Sequence, residues 1–174
     1  TTVELTDVQA GDTQIKFNND LLTGTSDAIT LNLDGNVTTA GGSIGTITLG
    51  NTSGTGVETV NVNSSGEASE ITTIAGGFTT LNVTGDKNLT ISSALAGVTT
   101  IGASLFTGNL SVVVDSDTTS KDVAVTGGSG NDTADFTDGF ETSDSFTGGD
   151  GTDSIKLTQA VASGTINGTL SSVE

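Results

Sequence analysis

The chain of 174 residues contains no cysteine, histidine, methionine, proline, tryptophan, tyrosine or arginine, and its 6 phenylalanines are its only aromatic residues. Without imidazole or thiol there is no histidine base, no thiolate nucleophile, and no zinc or iron site of the usual ligand set. A serine nucleophile would have to draw its base from Lys16, Lys87, Lys121 or Lys156, and no pattern places one beside a serine. A carboxylate pair acting on polysaccharide lacks the aromatic rings on which sugars stack. The chain is therefore expected not to be an enzyme. The missing cysteines leave the redox compartment open, because an extracellular chain stabilised by another device needs no disulfides. Positive charge is also scarce: 4 lysines stand against 21 acidic residues, a net charge of -17. That balance excludes nucleic acid and anionic membrane surfaces as partners and points to cations. No apolar run approaches a membrane-spanning helix, and residues 1–20 lack the basic start and apolar stretch of a signal peptide, so any export signal is expected elsewhere or of another kind.

What remains is mostly small and polar. Threonine (34), glycine (25), serine (19) and asparagine (12) make up 90 of the 174 positions, and only 32% of the chain is hydrophobic. A thick two-layer core is hard to fill from that supply. The apolar residues are mainly Val, Ile and Leu interleaved with Thr, which suits narrow stacked strands and not a disordered tail. Length and composition together indicate one thin, repetitive all-β module.

The repeat is visible directly. Val57-Glu58-Thr59-Val60-Asn61-Val62, Phe78-Thr79-Thr80-Leu81-Asn82-Val83 and Val98-Thr99-Thr100-Ile101-Gly102-Ala103 share one pattern, at steps of 21 and 20 residues. Turn signals at Ser65-Gly66, Gly85-Asp86 and Gly108-Asn109 separate them, and second short runs such as Leu89-Thr90-Ile91 and Leu110-Ser111-Val112 follow the last two turns. One coil is thus about 20 residues with at least two strands. Residues three apart on a strand face opposite sides, so Phe78 and Leu81 both reach a core only if the backbone turns a corner at Thr79-Thr80. These features predict an all-β, right-handed parallel β-solenoid, β-roll-like toward its C-terminal part, with a β-sandwich of short strands as the alternative. Helix is disfavoured throughout, and only Ser92–Leu95 hints at a helical turn. Val173-Glu174 resembles the opening Val57-Glu58, and Val3-Glu4-Leu5 is similar, so the chain reads as a piece of a longer array.

The acidic residues concentrate late: ten of the 21 lie between Asp115 and Asp153. Within that window Gly148-Gly149-Asp150-Gly151-Thr152-Asp153-Ser154-Ile155-Lys156 fits the calcium-binding nonapeptide G-G-x-G-x-D-x-U-x at every fixed position. Gly127-Gly128-Ser129-Gly130-Asn131-Asp132-Thr133-Ala134-Asp135 fits it too, with Ala134 a small occupant of the apolar slot. Glycines let the backbone curl so that carbonyls converge, the aspartate adds charge, and calcium accepts six to eight such oxygens in flexible geometry. Asp144-Ser145-Phe146 keeps only the D-x-U part and reads as a degenerate half-coil. The expected metal-site residues are Gly127, Gly128, Ser129, Gly130, Asp132, Asp135, Gly148, Gly149, Asp150, Gly151 and Asp153, with calcium as the ion. Asp132 and Asp153 are the expected side-chain ligands. Asp135 and Asp138 lie within reach of the loops. Asp115-Ser116-Asp117 followed by Asp122 lacks the glycine and terminal glutamate of an EF-hand loop and reads as a solvated turn. Eight asparagines stand in N-x-S/T sequons, a pattern that alternating polar strand residues create without any glycan. The adjacent threonine pairs do not make the Thr-x-Thr array of an ice-binding face.

Residues Gly127–Asp135 and Gly148–Lys156 resemble the RTX family, whose tandem nonapeptides form a parallel β-roll with calcium between successive turns. In that family motifs on one side recur every 18 residues, whereas here they start 21 apart, which implies an extra bulge near Gly139-Phe140-Glu141. With the upstream Thr-rich coils, the whole chain is similar to the solenoid regions of RTX-type surface-layer (S-layer) proteins and large adhesins of Gram-negative bacteria. The resemblance implies type I secretion, an extracellular place at the bacterial cell surface, and calcium-dependent folding. It divides the chain into Thr/Val-rich coils over 1–122 and RTX-like calcium-binding coils over 123–174 of the same solenoid. It implies a structural role in which calcium orders the coils and supports self-association into a lattice, with a cell-surface polysaccharide anchor supplied by other regions and no membrane insertion. A spacer or adhesive segment of an RTX adhesin and the accessory β-roll of a secreted hydrolase are the alternatives.

Overall fold

The computed structural model describes residues 2–6, 11–16, 22, 24–34, 44–50, 56–114, 121–136, 140, 142–157 and 169–173. In these there are strands and turns and no helix. In chain order the strands are β1 (Thr2–Thr6), β2 (Gly11–Lys16), β3 (Ala28–Asp34), β4 (Ile44–Gly50) and β5 (Thr59–Ser65). Next come β6 (Ser69–Ala75), β7 (Thr80–Gly85), β8 (Leu89–Leu95), β9 (Thr100–Phe106) and β10 (Leu110–Val114). The last five are β11 (Ala124–Thr126), β12 (Thr133–Phe136), β13 (Ser145–Thr147), β14 (Ser154–Leu157) and β15 (Thr169–Ser171). Odd-numbered strands form one 8-stranded sheet and even-numbered strands one 7-stranded sheet, each in strict order. Every pairing is parallel. A chain that alternates between two parallel sheets in this way is a β-solenoid with two strands per coil, as the repeat predicted, and the β-sandwich alternative falls.

The core is the strip between the two sheets. Alternation in β5 buries Val60, Val62 and Ser64 and turns Thr59, Asn61, Asn63 and Ser65 outward. The register stacks like on like: Val60 on Leu81, Asn61 on Asn82, Val62 on Val83. Each coil therefore buries its apolar residues against the same positions of its neighbours, which explains why so few hydrophobic residues suffice.

The threonine corners are where the repeat placed them. Phe78 and Leu81 are both fully buried, and β7 begins only at Thr80. The amides of Thr79 and Thr80 both donate to the carbonyl of Glu58, at 3.0 and 3.2 Å. Those of Thr99 and Thr100 do the same to Thr79, at 2.9 and 3.1 Å. One carbonyl of the coil below thus serves two consecutive amides, and the backbone bends without stranding a donor. The helical hint at Ser92–Leu95 is not realised: these residues belong to β8, which pairs with β6 and β10. Stacking burial and main-chain bonds on both faces of the coil outweigh a local propensity worth a few tenths of a kcal/mol.

Candidate metal centre

The two nonapeptide turns lie on consecutive coils in register. Thr133 pairs with Ser154 and Ala134 with Ile155, and the amide of Asp150 donates to the carbonyl of Gly128 at 3.0 Å. The spacing of 21 residues is the length of this solenoid's own coil: the same step separates Asn61 from Asn82 and Asn88 from Asn109. No exceptional bulge is needed to bring the turns together. Of the expected bulge, Gly139 and Glu141 lie outside the described residues. Phe140 is buried edge-on against Phe136, with ring centroids 4.8 Å apart.

Glycine is required in these turns by close stacking. A Cβ on Gly128 would strike the carbonyl oxygen of Phe106, one on Gly130 that of Gly108, and one on Gly151 that of Gly130. Gly149 and Gly151 also adopt φ of 111° and 114°, which side-chain-bearing residues rarely take. Gly127 and Gly148 leave room for the carboxylates of Asp132 and Asp153, which curl back into their own turns.

Those aspartates occupy a column that is otherwise partly apolar. Successive coils place Ser69, Leu89, Leu110, Asp132 and Asp153 at one position, so N-D-T-A and T-D-S-I replace N-L-T-I and N-L-S-V. Both carboxylates are about 1% exposed. In the lower coils the amide at this column donates to a main-chain carbonyl, Ser69 to Asn88 at 2.8 Å and Leu89 to Asn109 at 3.0 Å. In the coil beneath each nonapeptide it donates to that nonapeptide's carboxylate. Leu110 N–H bonds Asp132 Oδ1 at 2.8 Å, and Asp132 N–H bonds Asp153 Oδ1 at 2.7 Å. Gly128 N–H bonds Asp132 Oδ2 at 2.6 Å. Burial raises the Asp132 carboxyl above its ordinary range; the two amides pull it back in part, and the nearby Asp153 charge adds to the rise.

Asp144 repeats the device at the opposite edge of the coil. It is 3% exposed, and its Oδ1 accepts the amide of Val123 at 2.8 Å. The degenerate D-x-U segment thus serves as a half-coil, with the aspartate gripping the coil below. Outside the turns an asparagine ladder performs the same service at the surface. Asn88, Asn109 and Asn131 accept, through Oδ1, the amides of Asn109, Asn131 and Thr152, at 3.0, 2.8 and 2.9 Å. The ladder escaped sequence reading, although Asn-Leu, Asn-Leu and Asn-Asp at one coil's spacing were its signal.

The structure divides the expected ligands. It brings together Gly127, Gly128, Ser129, Gly130 and Asp132 with Gly148, Gly149, Asp150, Gly151 and Asp153, Ser129 and Asp150 being exposed at the turn tips. Asp135 lies elsewhere, on β12, where it is buried at 9% exposure and Lys156 Nζ stands 2.6 Å from its Oδ2. Asp138, Asp115 and Asp117 lie outside the described residues, and Asp122 is exposed.

A calcium ion is tested against these turns by what the oxygens already do. Both oxygens of Asp132 have amide donors, whereas Asp153 Oδ2 is buried and has no hydrogen-bond partner among the described residues. Among the described residues no cluster of three or more acidic side chains could hold a metal by itself. A cation at the stacked turns would therefore lean on main-chain carbonyls and the Asp153 carboxylate, a hard oxygen set that suits calcium and not softer metals. Comparison with protein-family models, with curated proteins and with solved structures finds no match for this chain.

Proposed function

We propose that this chain is a structural, calcium-binding solenoid segment of a secreted bacterial surface-layer protein, in which calcium orders the coils and supports assembly of copies at the cell surface. The reading is carried by one observation: beside Gly148, in the second of two in-register nonapeptide turns, lies a buried carboxylate oxygen, Asp153 Oδ2, with no hydrogen-bond partner among the described residues. A buried acceptor left unpaired costs about 1–3 kcal/mol, more when charged, and a cation removes that cost. Asp153 and the carbonyls of the Gly127–Gly130 and Gly148–Gly151 turns would hold the ion, which supplies positive charge between coils that are otherwise strongly acidic. The amides of Leu110 and Gly128 meanwhile keep the Asp132 carboxylate in place.

The solenoid makes this role mechanical. Coils depend on their neighbours, so tying two of them together stiffens the array locally. The charge of -17 favours divalent cations over monovalent salt, which screens without coordinating. An ion that binds only the folded state adds about 2.7 kcal/mol at a hundred times its dissociation constant. Melting in excess EDTA and in millimolar calcium should differ by that order, and titration calorimetry should show binding lost in Asp153→Ala and kept in Asp34→Ala. Coincident melting curves, or equal loss in both variants, refute the assignment.

A further inference from the structure

The charge of this molecule is unevenly placed. From β3 to β15, the outward positions of the odd-numbered sheet hold only Thr, Asn, Ser, Ala, Gly and Leu among the described residues, apart from Asp34 at the end of β3. The other sheet turns Glu70 and Lys156 outward, Lys156 pairing with the buried Asp135, and the turns carry further acids such as Asp86, Asp122 and Asp150.

At the middle of the uncharged face stands Leu105, 77% exposed. Strict alternation would bury it, but the pairing of β7 with β9 shifts between Asn82 and Thr84, so that Ser104 and Leu105 both face outward. Such a bulge re-aims a side chain. Beside it the column Asn61, Asn82, Gly102 loses its side chain at Gly102, and a depression of about 300 Å³ opens, lined by Asn82, Val83, Thr84, Gly102, Ser104 and Leu105 itself. An apolar knob and a hollow thus adjoin on one flat sheet.

We propose that this face is where two copies of the chain pair about a two-fold axis, Leu105 of each seated in the hollow beside Gly102 of the other. Knob and hollow are neighbours on one surface, which is the requirement of an isologous contact. Charge selects the occupant. Two copies at -17 repel wherever their turns meet, and this sheet lets them approach without opposing carboxylates, whereas a cationic partner would be drawn to the turns instead. Size permits it too: the 7 strands from β3 to β15, about 4.8 Å apart, make a face roughly 29 Å long and at most about 20 Å across, on the order of 600 Å², which meets the lower end of a standard interface at about 600 Å² per partner. No carboxylate takes part, so this pairing goes beyond the calcium reading and does not depend on it.

The chain has no cysteine, so Leu105→Cys introduces a unique thiol. Under mild oxidation it should give a disulfide-linked dimer far faster than Ser92→Cys, an exposed site on β8 of the other sheet. Sedimentation from micromolar to millimolar concentration should show dimers in EDTA and in calcium alike. Leu105→Asp should weaken dimerisation about a hundredfold or more, the affinity equivalent of removing two leucines, one from each copy, from a dry contact, with an unchanged circular dichroism spectrum. Equal cross-linking of the two thiols, a monomer throughout, association that appears only with calcium, or dimerisation unaffected by Leu105→Asp overturns the proposal. Coincident melting with and without calcium would refute the metal assignment and leave this one standing.

Discussion

Replacing Asp132 by alanine separates the two roles its motif can play. In calcium-free buffer the carboxylate accepts two buried amides, Leu110 N–H at 2.8 Å and Gly128 N–H at 2.6 Å. Alanine leaves both without an acceptor, and each orphaned buried donor costs about 1–3 kcal/mol, roughly 2–6 kcal/mol for the pair. A second effect opposes this. Burial disfavours the ionised carboxylate, as its raised proton affinity records, and the nearby Asp153 adds repulsion, so removing the charge returns part of the loss. The amides win because there are two of them, both buried and both held by this one carboxylate, and the expected net destabilisation is about 2–4 kcal/mol. Denaturant unfolding in EDTA measures it, with the exposed Asp150→Ala as a control expected to stay within about 0.5 kcal/mol. Amide exchange at Leu110 and Gly128 should accelerate selectively while the coils of Phe78 and Val98 keep their protection, since solenoid coils depend mainly on their neighbours. If Asp132→Ala costs less than about 1 kcal/mol in EDTA and becomes damaging only in calcium, the carboxylate is a metal ligand alone and the amide-capping argument is wrong.

Three further expectations follow from the same contacts. Because the folded Asp132 carboxyl takes up its proton at higher pH than the unfolded value of 3.8, its contribution to stability falls as pH rises from 3.8 through the folded value. Wild type should accordingly gain stability relative to Asp132→Asn as calcium-free buffer is acidified across that interval, and a flat difference in urea melts would contradict it. Gly128→Ala should destabilise by more than about 2 kcal/mol, because its Cβ would strike the Phe106 carbonyl, while Ser129→Ala at the exposed tip is near neutral; thermal melts giving the reverse order would refute the stacking geometry. Phe78→Ala should cost about 3–5 kcal/mol from the cavity left at the corner, and a loss below about 1 kcal/mol in chemical denaturation would mean that Phe78 is not the core residue its burial makes it.

The period of about 20 residues, the parallel two-strand coil and the threonine corners were legible in the chain itself, because each is a local consequence of alternation and its interruption. Phe78 and Leu81 three apart demanded a corner, and Thr79 and Thr80 supply it through one shared carbonyl. The glycine and aspartate positions of the two turns were legible for the same reason. Their partners were not. Asp132 and Asp153 bind amides 22 and 21 residues back, Asp135 meets Lys156 across one coil, and these pairings exist only once the stacking register is set. Register is a long-range property of neighbouring coils, so only the tertiary structure could show that the motif aspartates stand in the column of Leu89 and Leu110. The same holds for Leu105: nothing local marks it as exposed, since the shift that turns it outward arises where β9 is laid against β7.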